Sequence, residues 1–199
     1  MKIESFSYES KFNICIVGSS KIGKTSYIKR IIEDQFDIAY NKTYGINTLK
    51  FTKEINKGSY LFKFWDLSGE TKSHDLSSEL YRTIDCFIFA FALDDEYSFT
   101  IIKQWLDYSI SKRVSLDHSL FLCLKSDLEE EVAVDMGQVD KISQDYEIDF
   151  IKVSSKENTS IKESFNNIAN KMLLRLGNSL NNSLISAEEG TSNSACLIF

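Results

Sequence analysis

The chain has 199 residues, a formal net charge of -6, 43% hydrophobic residues and 26% charged residues, an ordinary make-up for one soluble domain plus a tail. That acidic balance excludes a broad nucleic-acid or anionic-membrane surface, because covering phosphates over a large area requires an excess of Lys and Arg. Any nucleotide must be held by a local site. The N-terminus reads as carrying no signal peptide, and no apolar run approaches the length of about 18 residues that spans a bilayer. Of the four cysteines, Cys15, Cys86 and Cys123 lie inside apolar runs, while Cys196 stands alone near the end. Buried free thiols of this kind behave as small hydrophobes, and the lack of zinc-type spacing fits a reducing compartment.

Residues 1–11 read as an extension. The apolar run Phe12–Val17 then turns at Gly18 and reaches Gly23-Lys24-Thr25 at the start of a helical pattern. This is the phosphate-loop pattern G-x-x-x-x-G-K-T in its strand, loop and helix setting. The glycines let main-chain N–H groups curl around an anion at the positive end of the helix. Lys24 can reach the β- and γ-phosphates, and the hard Thr25 hydroxyl suits Mg²⁺. The candidate nucleotide contacts of the loop are Ser20, Lys21, Ile22, Gly23, Lys24, Thr25 and Ser26.

Ile28, Ile31 and Ile32 then predict a helix over 25–33, and residues 34–45 lose the periodicity and form a polar, partly aromatic loop. Strands are predicted over Ile46–Ile55 and Tyr60–Leu67, with Asn56-Lys57-Gly58-Ser59 as turn chemistry for a hairpin. Residues 68–80 are polar and expected to be mobile. Cys86–Leu93 is a continuous apolar run suited to a strand covered on both faces. Phe99, Ile102, Leu106 and Ile110 predict a helix over 98–112; Leu120–Leu124 is a second buried strand; a weaker helix over 139–146 and a short strand over 150–153 follow. A strong helix carries Ile161, Phe165, Ile168, Met172, Leu173 and Leu176, and from Gly177 the Ser- and Asn-rich sequence reads as a flexible tail. Strands alternating with helices indicate a parallel α/β sheet.

Over residues 12–176 these motifs fall in the order and spacing of a known family, and the chain resembles a Ras-superfamily small GTPase, most closely the Rab branch. The resemblance implies a P-loop NTPase domain with a mostly parallel six-stranded sheet and helices on both faces. FDIAYNKTYGIN is similar to the family's first switch loop: it sets Phe36 against the guanine, Tyr40 over the phosphates and Thr43 on Mg²⁺. WDLSGE is similar to the second switch. It implies Asp66 behind the metal, a Gly69 N–H on the γ-phosphate, and catalysis shared by Lys24, Gly69 and Glu70. Glu70 departs from the family, taking the place of the glutamine that orients the attacking water. A carboxylate there can act as base to the water or be repelled by the γ-phosphate, so the rate should be atypical and its direction does not follow.

Leu124-Lys125-Ser126-Asp127 stands where the family reads guanine with Asn-Lys-x-Asp. Asp127 can accept the N1–H and N2–H of guanine, a pair adenine does not offer, and the Lys125 stem can pack on the base. Leu124 cannot make the family's amide contacts, so weaker retention of nucleotide is expected. Ser154-Ser155-Lys156 is similar to the family's S-A-K, with the Ser155 N–H on the guanine oxygen and Lys156 beside it. The last four residues, Cys196-Leu197-Ile198-Phe199, fit a prenylation signal of the geranylgeranyl type. Residues 177–199 offer no second anchor, since Glu188 and Glu189 have the wrong sign for a polybasic clamp, and a single lipid gives reversible attachment.

The resemblance thus implies a monomeric GTP/GDP switch with Mg²⁺. Exchange factors, GTPase activators, effectors and a prenyl-binding escort would be its partners. It would be cytoplasmic, cycling onto the cytoplasmic face of membranes in vesicle traffic. Three alternatives stand beside it: a P-loop kinase, which would need neither Lys125 and Asp127 nor the prenyl ending; a GTPase-like scaffold without turnover or tight nucleotide binding; and a Ras-like signalling switch.

Overall fold

The computed structural model describes residues 9–191, and the side chains of residues 9–177 apart from Glu129. Among the described residues six strands form one sheet in the order β2-β3-β1-β4-β5-β6. They are β1 (Ser10–Val17), β2 (Ile46–Ile55), β3 (Gly58–Leu67), β4 (Cys86–Ala92), β5 (Leu120–Leu124) and β6 (Phe150–Lys152). Only β2 runs antiparallel, paired to β3 from Ile46↔Leu67 to Ile55↔Gly58; the remaining pairs are parallel. The expected hairpin is present, and its turn is tighter than Asn56–Ser59. Asn56 and Lys57 have φ of 50° and 70°, the two positive values that a two-residue turn needs to match strand twist.

Helices cover both faces: α1 (Lys24–Glu33), α2 (Ser78–Thr83), α3 (Glu96–Ser111), α4 (Met136–Tyr146) and α5 (Ile161–Thr191). Alternation along the strands divides the core in two. Ile14, Ile16, Phe62, Phe64, Ile88 and Leu122 face α1 and α5, meeting Tyr27, Ile28, Phe165 and Ile168. Cys15, Val17, Phe87, Phe89, Phe91 and Phe121 face the other helices, meeting Tyr81, Phe99, Ile102, Trp105 and Ile142. Burial pushes the Cys15, Cys86 and Cys123 thiols up, the last to about 12, so all three behave as inert core residues.

Three expectations change. The polar stretch 68–80 contains a 3-10 turn at Ser73–Asp75 and the start of α2. Ser77 caps α2 by accepting the Leu80 N–H at 3.2 Å, and Leu76 and Tyr81 are buried; two apolar anchors in so polar a stretch make no readable period. On α3 the buried face carries Trp105 and Ser109, while Ile110 is 46% exposed. Ser109 can be buried because its hydroxyl bonds the Trp105 carbonyl at 2.8 Å. The two end elements also run further than expected: β1 starts at Ser10, and α5 continues past Gly177 to Thr191. The chain contains no proline to stop α5. Residues 1–8 and Cys196 lie outside the described residues.

Candidate nucleotide site

β1 is the strand from which the chain departs both ways, to β3 on one side and β4 on the other. In open α/β sheets the crevice beyond the carboxyl ends of the strands at such a point holds ligands. A cavity of about 300 Å³ lies there. Ser20 to Ser26 form its floor, and Phe36, Tyr40 and Thr43 line it from the loop after α1. Gly69, Lys125, Asp127, Ser155 and Lys156 complete the wall. Every nucleotide contact expected from the sequence therefore faces one space. Asp66 lies behind it, and Glu70 stands outside its lining.

Conformation sets the floor. Gly18 has φ of 141°, and a Cβ there would sit 2.1 Å from the Ala90 carbonyl oxygen, so β4 presses directly on the turn. Gly23 is needed for its φ of 104° alone, since a Cβ would meet nothing within 4 Å. Gly23 also caps α1 without any side-chain hydrogen bond, and no acidic residue lies in the first turn. The first N–H groups of α1 are thus left open to an anion at the positive end of the helix.

Lys24, 6% exposed, donates to the Gly18 and Ser19 carbonyls at 2.9 and 2.7 Å. Burial lowers its pKa to about 8, with Asp66 opposing the shift. Thr25 donates to Asp66 Oδ2 at 2.6 Å and lies 3.0 Å from the Thr43 hydroxyl. Asp66 is fully buried; desolvation raises its pKa while Thr25, Lys24 and Thr43 pull it down. Its Oδ1 has no hydrogen-bond partner. A buried carboxylate oxygen left free beside two hydroxyls is a hard-oxygen donor set suited to Mg²⁺ with its waters and phosphates. Among the described residues no cluster of three His, Cys, Asp or Glu residues offers another metal site.

The two loops over the floor are tied together. Ser68 N–H donates to the Gly45 carbonyl at 2.8 Å. Gly69 approaches the phosphate loop so closely that a Cβ would lie 2.2 Å from the Ser20 nitrogen. Tyr40 and Ser20 share a hydrogen bond of 3.2 Å, and Lys21 lies 5.8 Å from the Tyr40 ring centroid. Glu70 accepts from Lys42 at 2.6 Å, bridging the loops at the rim.

At the base end, Asp127 Oδ1 accepts the Ser154 hydroxyl at 2.6 Å, and Lys156 lies 3.7 Å from Oδ2. Lys125 donates to Asp94 at 2.8 Å. Arg30 fastens the Ser155 and Lys156 carbonyls at 2.8 and 3.2 Å and lies 6.0 Å from the Phe36 ring centroid. Leu124, 1% exposed, packs into the core while also lining the cavity. The roles of Arg30, Lys42, Asp94 and Ser154 were not legible in the sequence, since the partners that define them here lie 27 to 126 positions away. Lys42 and Ser154 stand inside motifs quoted above, without their partners being legible, whereas Arg30 and Asp94 stand in none.

The Ras family model matches residues 13–174. The chain is 32% identical to Ras-related protein Rab-13 of Mesocricetus auratus over 171 residues, 85% of this chain and 84% of that protein. It is 27% identical to Ras-related protein Rab-8B of Pongo abelii over 177 residues, 88% and 85% of the two chains. It is also 27% identical to GTP-binding protein YPTM1 of Zea mays over 158 residues, 79% and 76%. With the six-stranded sheet and the cavity at its switch point, these matches establish that the chain belongs to the Ras family, as a divergent, Rab-like small GTPase.

Proposed function

We propose that this protein is a GTP/GDP-controlled switch that hydrolyses GTP with Mg²⁺ and acts in vesicle traffic while reversibly attached to membranes. The observation that carries the reading is the hydroxyl and carboxylate chain Thr43, Thr25 and Asp66, which joins the start of α1 to the first overlying loop and to the end of β3, where the second loop begins. A bound Mg²⁺ supplies charge neutralisation on the phosphates. Thr25 and Thr43 would hold it, with Asp66 acting from behind through water. Lys24 would leave the Gly18 and Ser19 carbonyls for the β- and γ-phosphates, and the Gly69 N–H would meet the γ-phosphate. Loss of that phosphate then frees Thr43 and Gly69, and with them residues 36–47 and 66–80. Glu70 would orient or deprotonate the attacking water, at a rate unlike that of a glutamine. Asp127, Ser155, Lys125 and Lys156 would select and cover the guanine.

Ile38 and Tyr44, 95% and 80% exposed on the first loop, offer effectors, exchange factors and GTPase activators an apolar contact that changes with the nucleotide. Among the described residues no helix is long and apolar enough to cross a membrane. Attachment to the cytoplasmic face would come from a prenyl group on Cys196, with an escort shielding it in the cytosol. A second reading, a scaffold without turnover, is favoured by one feature: Lys42 holds Glu70 outside the cavity lining.

Purified protein should carry guanine nucleotide, release it slowly with Mg²⁺ and faster on chelation, and hydrolyse GTP in a single turnover. Folded protein that binds GTP without turnover would establish the scaffold; folded protein that takes up no guanine nucleotide would overturn the switch.

A further inference from the structure

The corner between β4 and α3 is held from several sides. Leu93 N–H donates to the Leu124 carbonyl at 3.0 Å, and Leu93 O accepts from Ala133 and Val134 at 2.8 and 3.2 Å. Asp95 caps α3 by accepting the Ser98 N–H at 3.1 Å. The buried Ser98 hydroxyl accepts the Ala92 N–H at 3.0 Å and donates to the Asp95 carbonyl at 2.6 Å. Asp94 is therefore presented on backbone with little freedom to move. Its carboxylate accepts the Lys125 ammonium at 2.8 Å, with the side chains of Lys125 and Asp94 34% and 20% exposed. An ion pair so shielded is screened less than one in open solvent.

Lys125 needs a tether. It follows β5 with φ of 59°, a left-handed conformation uncommon outside glycine, and its side chain lines the base end of the cavity. The residue before it, Leu124, has no polar side-chain group with which to fasten the segment. We infer that Asp94 is a positioning residue for guanine-nucleotide retention. It pins the Lys125 ammonium so that the aliphatic stem stands as one wall of the base site, supplying by an ion pair the anchorage that Leu124 cannot supply by hydrogen bonding. This rests on the switch reading above.

The stem of Lys125 would touch the face of the base, whereas Asp127 would read its hydrogen-bonding edge. Guanine and hypoxanthine share a face and differ at the edge, where hypoxanthine lacks the exocyclic amino group. Loss of Asp94 should therefore speed release of both nucleotides alike, while Asp127→Asn should affect them unequally.

The test is displacement of fluorescent GDP and IDP from the full chain with Mg²⁺ present, for wild type, Asp94→Ala, Asp94→Asn, Lys125→Met, and Lys125→Met combined with Asp94→Ala. Asp94→Ala is expected to release both nucleotides about tenfold faster, equivalent to about 1.4 kcal/mol, with Asp94→Asn between it and wild type. In the Lys125→Met background, Asp94→Ala should add less than a factor of about two. Unchanged release from Asp94→Ala overturns the inference. So does an equal factor in both backgrounds, which would mark a general loosening of the corner, or an effect confined to GDP. Wild-type protein that holds no nucleotide would overturn the switch reading, and this one with it, before any variant is made; a failure seen only in the variants leaves the switch intact.

Discussion

At the scale of single residues, the departures from the family pattern are set by charge and burial. Lys42 and Glu70 are 37% and 65% exposed, and their 2.6 Å contact crosses from one loop to the other. Exposed pairs contribute about 0–1 kcal/mol, so Glu70 can leave Lys42 at little cost. Its access to the attacking water should then depend on ionic strength. Raising salt and substituting Lys42→Ala are expected to move the single-turnover rate in the same direction by a few-fold, and Glu70→Gln should both change the rate and abolish its salt dependence. A Glu70→Gln rate equal to wild type at every salt concentration would remove Glu70 from the reaction.

Lys24 makes a pH prediction. Its pKa falls from 10.5 to about 8 because the buried ammonium is poorly solvated. The folded value lies below the unfolded one, so the nucleotide-free protein gains stability as pH rises from about 8 towards 10.5. A phosphate binds the charged lysine, so nucleotide affinity should hold up to about pH 8 and fall above it. Lys24→Arg, which stays charged, should flatten that fall in a GDP titration; an identical profile would assign the pH dependence to another group. The glycines, Lys24 and Thr25 were readable because their backbone and ligand requirements leave few substitutes. Asp94 and Arg30 were not, because an isolated Asp or Arg carries no sign of a partner that only the fold brings near.

At the scale of elements, the buried strands were legible because Cys86–Ala92 and Leu120–Leu124 are apolar at every position, as strands covered on both faces must be. The hairpin was legible from its turn chemistry. The short helix α2 was hidden because it lasts six residues, of which Tyr81 alone is fully buried, too few to set up a period. Helix α5 packs on the sheet through Phe165, which meets Phe62 edge-on at 5.0 Å and Phe51 at 5.4 Å between ring centroids. Phe165→Ala should cost about 3–5 kcal/mol in urea unfolding, since an aromatic cavity between sheet and helix collapses poorly. A loss below about 1 kcal/mol would mean that α5 moves in to fill the space.

At the scale of the whole molecule, the sheet order carries the function. Sequence periodicity gives strands and helices, whereas the order β2-β3-β1-β4-β5-β6 follows from which faces are left to bury and from the right-handed crossovers between parallel strands. Parallel pairing in that order brings the ends of β1, β3, β4 and β5 to one side, so segments far apart in sequence meet around the cavity. A nucleotide that touches Lys24, Thr43, Gly69 and Asp127 together would fasten segments distant in sequence and bind only the folded chain. Mass action then stabilises the fold by about 2.7 kcal/mol at a free concentration of about 100 times Kd. For a domain of this size each kcal/mol moves Tm by about 2–4 °C, so GDP with Mg²⁺ should raise Tm of stripped protein by roughly 5–10 °C. ADP should do far less, because the Asp127 carboxylate finds no matching donor pair on adenine. Scanning fluorimetry of the stripped chain separates the outcomes. Equal shifts with both nucleotides would show a phosphate site without base selection, and Asp127→Asn should erase the difference between GDP and ADP if Asp127 is the residue that makes it.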